Sequence, residues 1–135
     1  MFLTAVRVEK HDCRDRIVFT FTSDGSGKPG FRAAYALAEQ AQTEDGSGRH
    51  VDVAGPAFLV VRLEPAATAK FSGERLAFTY NGPRRIEAAG TRYLHEVVKT
   101  GDFEAVVTWT IGLSERRPFR VVASTSPPQL VLEID

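Results

Sequence analysis

Phe103-Glu104-Ala105-Val106-Val107-Thr108-Trp109-Thr110-Ile111 is the stretch whose pattern decides the fold. Residues 103, 105, 107, 109 and 111 are apolar, and Glu104, Val106, Thr108 and Thr110 separate them. Successive side chains of an extended chain point to opposite faces, so this order puts Phe103, Ala105, Val107, Trp109 and Ile111 on one side of a strand. Trp109 is then a core residue, with the threonines on the solvated side.

The same period of two recurs on both sides. Downstream, Phe119, Val121 and Ala123 alternate with Arg120, Val122 and Ser124, and Leu130, Leu132 and Ile134 with Val131, Glu133 and Asp135. Upstream, Leu59, Val61 and Leu63 share a face, as do Ile17, Phe19 and Phe21, and Val6 and Val8. Phe19, Phe21, Leu59, Val61, Val107, Trp109, Val121, Leu130 and Leu132 are the predicted core. Turn formers separate these runs: Ser23 to Gly30 as a loop, Asp45-Gly46-Ser47-Gly48 as a hairpin tip, Asn81-Gly82-Pro83, and Ser126-Pro127-Pro128 before the last strand. About nine short strands at this spacing predict an all-β fold, an antiparallel two-sheet β-sandwich with no helix longer than about three turns. Two stretches fit less well. The alanine-rich segment 31–40 suits a helix by propensity, but Phe31, Ala33, Tyr35 and Leu37 alternate, which favours strand. Residues 64–79 are the least patterned and predict an irregular excursion.

The chain has 135 residues, the size of one domain with one core, so a single domain over 1–135 is expected. Seventeen Lys and Arg balance 17 Asp and Glu, which argues against a nucleic-acid partner, since phosphate binding draws on a basic excess. The lone cysteine, Cys13, excludes an intrachain disulfide and a thiolate zinc site. No apolar run reaches the 18 or more residues of a membrane span. Met1 to Thr4 leads straight into the first strand without a signal peptide, as expected if a longer natural protein was trimmed to this domain.

An ordered set of motifs carries a family resemblance. Leu3 to Val8, His11-Asp12, Asp15 to Phe21, Asp45 to Gly48, Val53-Ala54-Gly55, Ala57-Phe58-Leu59, Tyr80 to Arg85, Gly101 to Glu104, Arg117 to Val121 and Pro127 to Asp135 together resemble the AMIN-like domain over nearly the whole chain. The resemblance implies an extracytoplasmic actinobacterial envelope protein, often a lipoprotein. The related AMIN domains are non-catalytic modules that target amidases and secretion proteins to peptidoglycan. In one departure, Cys13 stands where the family pattern leads one to expect a small turn residue, often glycine.

Catalytic and cofactor signals are weak. His11, His50 and His95 lack ligand spacing, so no metal site is expected. Cys13 has no nucleophile elbow around it. The carboxylate pairs Asp12/Asp15, Glu44/Asp45 and Asp102/Glu104 sit at expected strand ends and tips, where acidic residues hold turns. Gly25-Ser26-Gly27-Lys28 lacks the spacing of a phosphate loop, and no cofactor is expected. The arginines carry more. Arg84, Arg85, Arg116 and Arg117 are the candidate ligand-binding residues, because a planar guanidinium suits carboxylates and phosphates, and Arg92 and Arg120 crowd the same half. Among the aromatics Tyr80, beside Asn81-Gly82, is the candidate ligand-facing ring, while Tyr93 invites the same use. The expected function is a non-catalytic module that recognises a cell-wall polymer, peptidoglycan or an associated anionic glycan. The alternative is an envelope protein–protein interaction domain without glycan affinity.

Overall fold

The computed structural model describes residues 1–22 and 27–135. Residues 23–26 of the loop expected at 23–30, and with them Gly25 and Ser26 of the Gly25-Ser26-Gly27-Lys28 run, lie outside the described residues. The strands are β1 (Phe2–His11), β2 (Arg14–Thr22), β3 (Phe31–Ala36), β4 (Ala57–Leu63), β5 (Ala69–Ser72), β6 (Arg75–Phe78), β7 (Arg85–Glu87), β8 (Leu94–Phe103), β9 (Val106–Leu113), β10 (Phe119–Thr125) and β11 (Pro128–Ile134). One short helix, α1 (Ala38–Ala41), follows β3. The segment 31–40 therefore splits: strand where the alternation runs, a single helical turn where it stops.

The strands form an antiparallel sheet in the order β1-β2-β11-β10, a second in the order β3-β4-β9-β8-β7, and a separate β5-β6 ribbon. The first two make the expected all-β sandwich. Ile17, Phe19, Phe21, Leu130, Leu132 and Ile134 from one sheet meet Leu59, Val61, Val107, Trp109, Ile111 and Leu113 from the other. Phe19 and Tyr80 flank the Trp109 ring, at centroid distances of 6.3 and 5.5 Å. Val121 is only half buried, because β10 is an edge strand.

The alternation of the 103–111 stretch breaks earlier than the sequence implied. Phe103 ends β8, and Glu104 and Ala105, both at positive φ, turn the chain into β9. Phe103 is exposed, so the inward face begins at Val107. Thr108 and Thr110 also depart from expectation, being buried. Helix α1 and the connection 42–56 cover the outer face of this sheet, where Ala41, Val53, Phe58, Val60 and Val98 form a second apolar cluster. The threonine hydroxyls are satisfied there: Thr108 donates to Asp45 at 2.7 Å and Thr110 to the Ala41 carbonyl at 3.2 Å. Asp45 to Gly48 forms the expected turn, the tip of a small antiparallel excursion inside that connection closed by the Thr43–His50 bridge. The 64–79 region holds the ribbon, so part of the expected irregular excursion is regular.

Candidate functional site

The candidate arginines Arg84, Arg85, Arg116 and Arg117 fall in two places. The first is the end of the sandwich where β8 begins and β9 ends. Its foundation is Asp15 on β2, a carboxylate only 1% exposed. It accepts the backbone N–H groups of Arg92 and Tyr93 at 2.7 Å each and of Leu94 at 3.0 Å. A buried carboxylate needs such donors, and here they fix the turn that presents Tyr93. The Ser114 N–H donates to the Tyr93 carbonyl at 2.9 Å, tying the turn to the segment after β9.

That segment carries Arg116 and Arg117. The Tyr35 hydroxyl on β3 donates to the Arg117 carbonyl at 2.6 Å and accepts its N–H at 2.8 Å, so one phenol clamps the Arg117 backbone. The Arg117 guanidinium lies 4.6 Å from the Tyr93 ring centroid and that of Arg92 5.3 Å from the same ring, while Arg116 lies 5.4 Å from the Tyr35 ring. Stacking engages the flat face of a guanidinium and leaves N–H donors at its edge for other acceptors. Arg117 Nε donates to the main-chain oxygen of Asp135 at 2.7 Å. None of the three forms an ion pair with an Asp or Glu side chain among the described residues. The Asp135 carboxylate is engaged by Arg14 at 2.9 Å.

The second place is the β7 edge. Arg84 pairs with Glu44, which also accepts the Ser47 hydroxyl at 2.6 Å. That hydrogen bond and the Arg84 guanidinium hold the Glu44 carboxyl below its ordinary range. Arg85 binds Glu96 at 2.7 Å and the Asp52 carbonyl at 2.7 Å. With Arg49, His50 and Val51, the residues Glu44, Asp52, Arg84 and Arg85 line a cleft of about 360 Å³. The two arginine pairs share no partner among the described residues: Arg84 and Arg85 are held by carboxylates, Arg116 and Arg117 lie over tyrosine rings.

Tyr80 is not a ligand-facing ring. It is 7% exposed, packs edge-on against Trp109 and donates its hydroxyl to the Pro83 carbonyl at 2.6 Å. Burial raises its phenol above the ordinary value of 10.0. Gly82 lies beneath the ring, where a Cβ would stand 2.8 Å from the hydroxyl. The Tyr80-Asn81-Gly82-Pro83 motif is thus a corner that seals the core. Tyr93, and Tyr35, which the sequence did not single out for binding, are the tyrosines at the cationic surface.

The remaining candidates disperse. His11 sits beside the β1–β2 turn, His50 in the 42–56 connection and His95 on β8. Cys13 is exposed in the β1–β2 turn at φ 63, a left-handed conformation that explains why glycine suits the position. Asp45 and Asp102 both bind threonine hydroxyls, those of Thr108 and Thr68. No group of three or more His, Cys, Asp or Glu side chains able to hold a metal ion occurs among the described residues. No helix among them is long and apolar enough to cross a membrane.

A family model of the AMIN-like domain matches residues 1–135. No curated protein and no solved structure matches the chain.

Proposed function

The chain belongs to the AMIN-like domain family, a family of non-catalytic, envelope-related modules, and from that premise we propose that it binds an anionic cell-wall polymer, peptidoglycan or an associated glycan, through the arginine-bearing end of the sandwich. The family match spans 1–135, which supports treating the chain as one domain. The observation that carries the proposal is the trio Arg92, Arg116 and Arg117, stacked on Tyr35 and Tyr93 without an Asp or Glu side-chain partner among the described residues. Peptidoglycan stem peptides present carboxylates, and wall-linked polymers present phosphates. Arginine edges donate to both in paired hydrogen bonds. Stacking restrains the long side chains beforehand, so less entropy is lost on binding. Arg84 and Arg85, already neutralised by Glu44 and Glu96, contribute less in this proposal.

Sedimentation with purified sacculi tests it. Wild type co-sediments at low salt and releases as salt rises, because exposed charges are screened within roughly 8–10 Å at physiological ionic strength. Arg116→Glu with Arg117→Glu abolishes sedimentation while the fold survives, whereas Arg84→Glu with Arg85→Glu weakens it less. Wild type that stays in the supernatant at low salt refutes wall binding and leaves the protein-partner alternative.

A further inference from the structure

An apolar surface lies away from the arginine end, on the β5–β6 ribbon. Ala69 pairs with Phe78 and Phe71 with Leu76. Cross-strand partners share a face, and so do residues two apart, so Ala69, Phe71, Leu76 and Phe78 occupy one side. Lys70, Ser72, Arg75 and Ala77 take the other. Phe71 is 76% exposed, Phe78 64% and Leu76 53%. The ribbon base is anchored: the N–H groups of Thr79 and Tyr80 donate to the Thr68 carbonyl, and the Thr68 hydroxyl donates to Asp102. Three large apolar side chains gathered on a projecting ribbon mark an interaction surface rather than scattered surface residues.

The amount of apolar surface and its charge select the occupant. At about 200 Å² for a large side chain, the three expose roughly 350–400 Å². Two copies face to face would bury about twice that, short of the ~1,000 Å² of a stable interface. Lys70 and Arg75 form no ion pair among the described residues, and the ribbon carries a single carboxylate, Glu74, at its tip. An apolar wedge with unpaired cations suits the boundary between acyl chains and anionic headgroups, where buried apolar area and charge attraction add. We propose that the β5–β6 ribbon docks on an anionic phospholipid bilayer. Phe71, Leu76 and Phe78 enter the boundary layer, and the long Lys70 and Arg75 side chains reach round the ribbon to lipid phosphates.

The ribbon base at Asp102 and the arginine end at Tyr93 adjoin opposite ends of β8. Ten residues of strand separate them by about 30 Å. A ribbon seated in a bilayer therefore turns the arginines outward. The proposal does not rest on wall binding, and its test contains no wall polymer, so the two can fail separately.

The test is flotation of the whole chain with vesicles of phosphatidylglycerol and phosphatidylcholine, and with phosphatidylcholine alone. Wild type floats with the anionic vesicles and far less with the neutral ones. Phe71→Ser with Phe78→Ser lowers the bound fraction by about tenfold or more, since each removes most of an aromatic side chain's apolar area. Lys70→Glu with Arg75→Glu lowers it on anionic vesicles. Both variants keep the wild-type circular dichroism spectrum, because neither touches the core. Three results overturn the proposal: wild type that does not float, a Phe71/Phe78 variant that floats as well as wild type, or a wild-type dimer that this variant returns to monomer, which would assign the ribbon to a second copy.

Discussion

Asp15→Ala is the substitution that most directly tests how the arginine end is built. The carboxylate supports three backbone N–H groups, two in partly exposed hydrogen bonds and one, from Leu94, fully buried. Truncation strands all three donors. Water reaches the Arg92 and Tyr93 groups, so the largest share of the loss falls on Leu94. A buried donor left unmet costs about 1–3 kcal/mol, and a hydrogen bond to a charged acceptor contributes about 1.5–3 kcal/mol. With water replacing the outer two bonds, the expected loss is about 2–4 kcal/mol. Asp15→Asn keeps one acceptor oxygen but turns an NH₂ group toward donors, and should lose about 1–2 kcal/mol. Equilibrium urea denaturation at pH 7 measures both, with the slope against denaturant unchanged. Amide exchange at residues 92–94 should accelerate in step. A loss below about 0.5 kcal/mol for Asp15→Ala would mean that the turn stands without the carboxylate, and the account of the site's foundation would fail.

Two further outcomes follow from local geometry. Cys13 at φ 63 occupies left-handed space that costs an ordinary side chain about 1–2 kcal/mol, so Cys13→Gly should raise stability by about 0.5–1 kcal/mol after glycine's greater unfolded-state freedom is counted, read as a higher denaturation midpoint. Burial raises the Glu133 carboxyl, but the hydrogen bond from Arg120 and the charges of Arg120 and Arg16 outweigh it and leave the group below its ordinary 4.5. A carboxyl lowered in the folded state adds stability above its unfolded value and loses it as pH falls through the folded one. Glu133→Gln should therefore flatten the decline in melting temperature below about pH 4.5, measured against wild type between pH 3 and 7.

Most of the sandwich was legible because period two is a local property. Ile17, Phe19, Leu59, Val61, Trp109, Leu130 and Leu132 lie where the alternation places them. The misreadings arose where a long-range neighbour decides burial. Thr108 and Thr110 look solvent-facing until the 42–56 connection folds over them, and no pattern within β9 announces that cover. Phe103 continues the apolar order of β9, but the two left-handed residues after it end one strand and start another. The candidate site was legible in residue type and not in place. Clustering of arginines in sequence says little about clustering in space when β7 and the β9–β10 connection reach different parts of the sheet. Tyr35 lies 82 residues from the Arg117 backbone that it clamps, so only the tertiary structure joins them.

The motifs that carry the family resemblance mostly hold the scaffold together. Tyr80 covers Trp109 and is seated over Gly82, Asp45 packs against the bare Cα of Gly101 while accepting from Thr108, and Asp15 secures the turn at 92–94. A Cβ at Gly112 would collide with the Ala54 carbonyl, which fixes the 42–56 connection against β9. Substituting any of these alters packing first, and a resulting loss of binding would say nothing about contact with a ligand. The guanidiniums of Arg92 and Arg116 are different: they lie outside this framework and bear on it only through the outer faces of tyrosines. Arg117 is intermediate, because Tyr35 grips its backbone, not its side chain, so Arg117→Glu removes the cation and keeps both clamping bonds. Charge reversal at 116 and 117 therefore separates recognition from folding, which substitutions at Tyr80, Asp45 or Asp15 cannot do.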